Sequence, residues 1–421
     1  MKITRRTFGI AALATAGAMA APSLMAAARP KVVIVGGGPG GATVARYLAK
    51  ASKGDIDVTL IEPTRTYYTC FFSNLYLGGF RELQSIAHSY GRLASEYGIN
   101  VVHDWATGVD RGKKMVALAS GGMVPYDRLV VAPGIDFRYE TVPGYGIESA
   151  NKMPHAWKAG SQTELLKAQV ENMREGGRYV MVAPPNPFRC PPGPYERVSM
   201  VAHILKRKNP TAKILIIDPK EKFSKQGLFQ EGWATHYAGM IEWLPASIAG
   251  KIKRIDTDAM EIHTTDEVFK ADVANVIPGQ KAGHIATSAG LANDTGFCPI
   301  VPATMQSQMD ENIYLVGDST IAGDMPKSGF SANSQAKVAA MAIRASLTDS
   351  KLFPARFANT CWSLISTNDG VKVGAKYEAT PEKIAKTSGF ISKVGEDAEL
   401  RKRTFEESVG WYEGISADIF G

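Results

Sequence analysis

"KVVIVGGGPGGATVARYLAK" occupies residues 31–50. Four β-branched residues, Val32 to Val35, read as a strand buried on both faces, the habit of parallel sheets. The glycine cluster breaks that strand, and "ATVARYLAK" resumes with helical spacing. Gly36, Gly38 and Gly41 fit G-x-G-x-x-G, in which glycines close a tight turn and let backbone N–H groups meet a pyrophosphate at the helix N-terminus. A second strand, "DVTLIE" (57–62), ends in Glu62, about twenty residues past the last glycine, where a carboxylate accepts hydrogen bonds from a ribose. The glycines alone would be a weak signal. Strand, turn, helix, strand and acid in register predict a dinucleotide site and an α/β fold.

Later segments choose FAD over NAD. "ENIYLVGDST" (311–320) is a buried strand ending in Gly317-Asp318, which resembles the second FAD motif of two-dinucleotide-domain flavoproteins, where the aspartate binds the ribityl chain. "YDRLVVAPG" (126–134) resembles their short strand-turn motif, with Pro133 in place of a usual Thr. In "MPKSGFSANSQAKVAAMAIRA" (325–345) a Gly/Ser turn enters an amphipathic helix. Lys327, at its start, is a candidate for stabilising negative charge on a reduced flavin; the competing reading is a solvated lysine.

A second βαβ frame follows: strand "RYVMV" (178–182), helix "YERVSMVAHILKRK" (195–208) and strand "KILIID" (213–218), which ends in Asp218. Its turn, however, is "APPNPFRCPPGPYER" (183–197). Pro184, Pro185, Pro187, Pro191, Pro192 and Pro194 offer no N–H to a phosphate and obstruct close backbone approach, so no NAD(P)H is expected here. The same prolines stiffen the loop around Cys190, which with Glu196 six residues on reads as a thiol active site. Cys70, in "RTYYTCFFSNLY" (65–76), has three readings: a flavin-facing thiol, a thioether to the flavin ring, or a core thiol among aromatics.

The bulk properties limit the alternatives. At 421 residues with 45% hydrophobic and 21% charged residues, the chain suits a two- or three-domain α/β protein. Residues 1–28 carry Arg5-Arg6, an Ala-rich stretch and small residues at Ala26 and Ala28, resembling a twin-arginine signal for export of a folded protein to the periplasm. An uncleaved anchor is disfavoured by the weak hydrophobicity and by Pro22. The net charge of +7 falls to about +4 once Lys2, Arg5 and Arg6 are removed. No Lys/Arg run with interleaved aromatics points to nucleic acid; a mildly basic surface suits an acidic protein partner. The four cysteines, Cys70, Cys190, Cys298 and Cys361, form no CxxC and no CxxCH, which argues against a metal site or haem attachment, and an exported chain favours paired thiols.

The "YYTC..SN" stretch around Cys70, the proline loop around Cys190, "MPKSG.SANSQ.K", "NTCWS" around Cys361 and the terminal "GWYEGISADIFG" together resemble the flavoprotein subunit of flavocytochrome c sulfide dehydrogenase. The likeness runs along nearly the whole chain after the signal, and the proline-rich thiol loop is its most specific part; the glycine motif alone would not separate the family from the related sulfide:quinone oxidoreductases. It implies FAD attached covalently through Cys70, a redox disulfide joining Cys190 to Cys361, Glu196 as acid/base and Cys298 as structural. It also implies hydrosulfide as substrate and a separate c-type cytochrome subunit as acceptor. The phenylalanines after Cys70 and the Ser/Thr after Gly317-Asp318 depart from the pattern without touching those cysteines. The expected organisation is an FAD-binding domain at 29–150 and 276–345, a degenerate NAD-binding-like domain at 151–275 and a C-terminal interface domain at 346–421. A quinone-linked enzyme on the membrane surface would need an exposed amphipathic C-terminal helix, and residues 397–421 are too charged for a convincing one. A flavin relay without its own substrate is the remaining reading.

Overall fold

A computed structural model describes residues 28–348 and 350–421. The proposed signal segment, all but Ala28, lies outside the described residues.

Val32 to Val35 are buried, so the strand Lys31–Val35 is covered on both faces, as its uninterrupted apolar sequence requires. It pairs in parallel with Asp57–Ile61 on one side and Arg128–Val131 on the other. The complete sheet runs Gln306–Ser307, Asp310–Leu315, Arg128–Val131, Lys31–Val35, Asp57–Ile61, Asn100–Val102. Only the Gln306–Ser307 edge is antiparallel. Thus Asp310–Leu315, from the far end of the sequence, completes a sheet begun at residue 31, and brings Gly317 and Asp318 to the same C-terminal sheet edge as the glycine turn. The helices Pro39–Ser52 and Gly329–Leu347 pack together beside it.

Ile135–Arg138 and Gly279–Ala282 pair antiparallel and form the double crossing into and out of a second unit. That unit has a parallel sheet in the order Ile241–Leu244, Lys213–Ile217, Arg178–Val182, Val273–Val276. The helix Gly193–Lys208 leaves the proline loop and buries Tyr195, Val198, Met200 and Val201 against it.

The C-terminal segment forms a meander, Arg356–Ser366, Asp369–Ala379 and Ile384–Ile391, followed by the helix Ala398–Phe420. Leu364, Ile365 and Val371 join the core of the second unit, whereas Phe357, Tyr377, Ile384 and Phe420 join that of the first. Each such fully buried side chain contributes roughly 1.5–3 kcal/mol, so the meander is fixed to both units and its Cys361 is held between them. The C-terminal helix is fastened too. Asp418 pairs with Arg46 at 3.3 Å and Lys337 at 2.7 Å, and Phe420 stacks on His88 at 4.6 Å. Among the described residues no helix is long and apolar enough to cross a membrane.

Candidate functional site

Gly36 has φ +101°, and a Cβ there would lie 2.4 Å from the Ala132 carbonyl oxygen. At Gly41 it would lie 1.8 Å from the Gly36 oxygen, so both positions admit only glycine while turn and helix keep this approach. Gly38 is the residue before Pro39, which opens the helix. Glu62 stands at the loop mouth: Oε2 accepts from the Gly37 N–H at 2.8 Å and Oε1 from the Thr64 hydroxyl at 2.7 Å. Across the sheet edge Gly317 has φ +83° and Asp318 is buried. Asp318 Oδ1 has no hydrogen-bond partner, and burial raises its pKa against the pull of Arg189 and Lys327. A buried acceptor without a donor beside a glycine turn of this shape fits the hydroxyl-rich ribityl chain of FAD.

Lys327 lies beside that turn. Its ammonium donates to the carbonyls of Asp318 at 2.9 Å and Thr320 at 2.6 Å, above the Phe297 ring, and burial lowers its pKa to about 8. It braces the turn carrying Asp318 and is not among the residues lining the thiol cavity; the cations there are Arg189 and Arg197. Arg189 lies 3.8 Å from Asp318 and acts electrostatically on Cys70 and Cys190.

Cys70, Cys190, Glu196 and Cys361 all line one cavity of about 80 Å³, with Trp157 and Trp411 in its walls. Three separate stretches of chain therefore meet there, and the C-terminal helix supplies Trp411. Cys190 sits at φ +58°, a strained setting for a residue with a side chain, held by a 2.7 Å hydrogen bond from its N–H to the Lys327 carbonyl. A Cβ on Gly193 would fall 2.8 Å from Cys190 Sγ, so that glycine makes room for the sulfur. All four cysteines are free thiols in this structure. The bridge expected between Cys190 and Cys361 is not formed: the fold gives the pair a shared cavity, whereas bonding depends on oxidation state. Burial pushes both thiols up, that of Cys190 well above its ordinary value with Cys361 as the next cause. Burial likewise pushes Cys70 up and Arg189 pulls it down. Cys298 is buried away from this cavity, on the short strand Cys298–Pro299, with its pKa pushed up to about 12.

Glu196, in the first turn of Gly193–Lys208, accepts from Asn74 Nδ2 at 2.8 Å and from the Leu364 N–H at 2.9 Å. Burial raises its pKa, opposed by those two donors and by Lys225 and Arg197. Lys225 is a buried cation whose Nζ donates to Ser363 Oγ at 2.8 Å and to the Cys361 carbonyl at 3.1 Å. Sequence reasoning missed Lys225, Arg189 and Asn359. Lys225 is one of six lysines between 206 and 225, and nothing local distinguishes it from its solvated neighbours. Arg189 lay inside the loop already singled out, and Asn359 inside the quoted "NTCWS".

Asp218 is fully engaged. It accepts from the Tyr195 hydroxyl at 2.5 Å and Trp243 Nε1 at 3.0 Å, and pairs with Lys220 at 2.6 Å. Both its oxygens already have partners, and the adjoining turn is the proline loop.

Residues 163–278 match the family model of the sulfide dehydrogenase [flavocytochrome c] flavoprotein chain, central, and residues 354–420 that of the flavocytochrome c sulphide dehydrogenase, flavin-binding. The sulfide dehydrogenase [flavocytochrome c] flavoprotein chain of Chlorobaculum thiosulfatiphilum is 54% identical over 44 residues, 10% of this chain and 90% of that sequence. The chain belongs to the flavocytochrome c sulfide dehydrogenase flavoprotein family. Residues 30–174 match the pyridine nucleotide-disulphide oxidoreductase model, and the α/β fold is of that type. The sulfide-quinone reductase of Aquifex aeolicus is 24% identical over 408 residues, 90% of each chain. The crystal structure of the sulfide:quinone oxidoreductase from that organism superimposes with a TM-score of 0.70 over 92% of each chain, at 19% identity. The mitochondrial sulfide:quinone oxidoreductase of Dictyostelium discoideum is 22% identical over 302 residues, and the match spans 69% of this chain and 65% of that protein's length. As a member of this family the chain is a flavoprotein, and its flavin is FAD.

Proposed function

We propose that this family member is an exported, periplasmic sulfide dehydrogenase subunit that oxidises hydrosulfide to sulfur or polysulfide, with a c-type cytochrome subunit as its electron acceptor and FAD joined to Cys70 by a thioether. The observation that carries the reading is the convergence of Cys70, Cys190, Cys361 and Glu196 on one buried cavity. The sequence of residues 1–28 supports export. Nucleic acid and NAD(P)H have no place in the reading, and no membrane segment is needed.

In the oxidised protein the Cys190 and Cys361 sulfurs are joined, and hydrosulfide opens the bridge to give one persulfide and one thiolate. Arg189 and Lys225 make the cavity favourable for an anion that small. Glu196, whose hold on a proton burial strengthens, moves a proton to or from the sulfur that leaves. Trp157 and Trp411 limit water. FAD, when bound, supplies the two-electron acceptor. Gly36, Gly38, Gly41 and Glu62 would hold its adenosine diphosphate end, Asp318 its ribityl chain and Cys70 its ring.

The test is anaerobic mixing with sodium sulfide. Sulfide should bleach the flavin of the wild type and fail to bleach that of Cys190→Ser; undiminished bleaching of the variant would dispose of the disulfide route. A second reading, quinone as acceptor, draws on the likeness to sulfide:quinone oxidoreductases. Parallel assays with cytochrome c and decylubiquinone decide between them. The fastened C-terminal helix favours the cytochrome.

A further inference from the structure

The two cavity thiols are not equivalent. Asn359 Nδ2 lies 3.4 Å from Cys361 Sγ, and the amide is oriented because the Ser328 hydroxyl donates to its Oδ1 at 2.5 Å. The Lys225 ammonium is fixed on the same residue, 3.1 Å from the Cys361 carbonyl oxygen, and is buried with no carboxylate in contact among the described residues. Among the described residues no N–H or O–H donates to Cys190 Sγ. Beside that sulfur the glycine at 193 leaves space, because a Cβ there would stand 2.8 Å away. Cys361 thus has a side-chain N–H at its sulfur and Cys190 has none, although Lys225 also acts electrostatically on Cys190.

We propose that Lys225 and Asn359 give the disulfide a direction: hydrosulfide attacks Cys190 Sγ, and Cys361 departs as the thiolate. The step balances as HS⁻ plus the Cys190–Cys361 bridge giving a Cys190 persulfide, which keeps the proton, and a Cys361 thiolate. One S–S bond breaks and one forms. The leaving group is favoured because a stabilised thiolate leaves faster. Lys225 is a positioning residue that acts through Cys361. The titratable groups facing Cys361 are Lys225, Glu196 from the Gly193–Lys208 helix, Cys190 from its loop and Tyr377 from the neighbouring strand. Burial lowers the Lys225 pKa to about 8, so the preference should weaken as pH rises past that value. This inference rests on the disulfide chemistry proposed above.

The experiment maps the persulfide. Oxidised wild-type protein is mixed with one equivalent of sodium sulfide, alkylated with iodoacetamide, digested and weighed. The extra sulfur is expected on the peptide holding Cys190, with plain alkylation at Cys361. Extra sulfur on Cys361 would overturn the direction while leaving the proposed function standing, and extra sulfur on neither would overturn both. This arm needs no variant. In a second arm, the dithiothreitol-reduced wild type, Lys225→Met and Lys225→Arg are alkylated across pH. Cys361 of Lys225→Met should react about tenfold more slowly near neutral pH, the effect of about one pKa unit, with rescue in Lys225→Arg. Equal Cys361 profiles in all three would remove Lys225 from the account.

Discussion

Replacing Glu196 by Gln separates the proton-handling role of this side chain from its structural one. Its two oxygens accept from Asn74 Nδ2 at 2.8 Å and from the Leu364 N–H at 2.9 Å. Asn74 cannot turn over to help, because its Oδ1 accepts from Arg197 Nε at 3.1 Å while its Nδ2 also donates to the Gly193 carbonyl. A glutamine amide therefore points its own N–H₂ at one of the two donors, and one buried donor left without an acceptor costs about 1–3 kcal/mol. Against this, the amide avoids burying a charge. Burial raises the Glu196 pKa above its ordinary 4.5, so the folded state binds the proton more tightly than the unfolded one. The resulting penalty on the wild type is absent below about pH 4.5, grows as pH rises through that value and levels off above the folded pKa. Urea melts should show Glu196→Gln less stable at pH 4.5 by about 1–3 kcal/mol and a smaller deficit at pH 8. Stopped-flow bleaching by sulfide should slow by about 10²–10⁴-fold, the usual worth of a positioned acid or base. A deficit that widens with pH would refute the burial argument, and bleaching within threefold of wild type at every pH would refute the proton role.

Cys70→Ser should bind FAD without linking it, so acid precipitation should leave the yellow colour in the supernatant, whereas the wild-type pellet should be yellow. Yellow pellets from both proteins would place the attachment elsewhere. Gly41→Ala puts a methyl group 1.8 Å from the Gly36 oxygen, which forces the glycine turn apart. Its purified protein should carry little flavin and melt several degrees lower, and full flavin content would contradict the packing described. Asp318→Ala removes the buried acceptor without a donor, and at least a tenfold weaker hold on FAD is expected in a Cys70→Ser background, measured by fluorescence titration.

The first dinucleotide unit was readable in sequence because its requirements are local. Gly36 and Gly41 sit where only glycine fits, and Glu62 follows at a spacing set by one strand and one helix. The proline loop was readable for a complementary reason, since six prolines withhold N–H donors from a phosphate whatever surrounds them. The partnership of Cys190 with Cys361 was legible only through family likeness, because it depends on a meander packed into two cores at once. Lys225 shows the limit most clearly. A lysine's ordinary place is in water, and only the packing of the Gln226–His236 helix against the meander makes this one a buried cation beside Cys361. Lys327 is a second case: its position by the flavin motif made it a candidate in sequence, whereas its hold on two carbonyls appears only in the fold.

The central claim is that Cys190 and Cys361 cycle between thiols and a bridge in the cavity that also holds Cys70. Digestion of the air-oxidised protein without reductant, in the presence of iodoacetamide, tests it most directly. A cross-linked pair of peptides containing Cys190 and Cys361, converted to separate alkylated peptides after sulfide treatment, is the predicted result. Both cysteines fully alkylated before any sulfide is added would contradict the account.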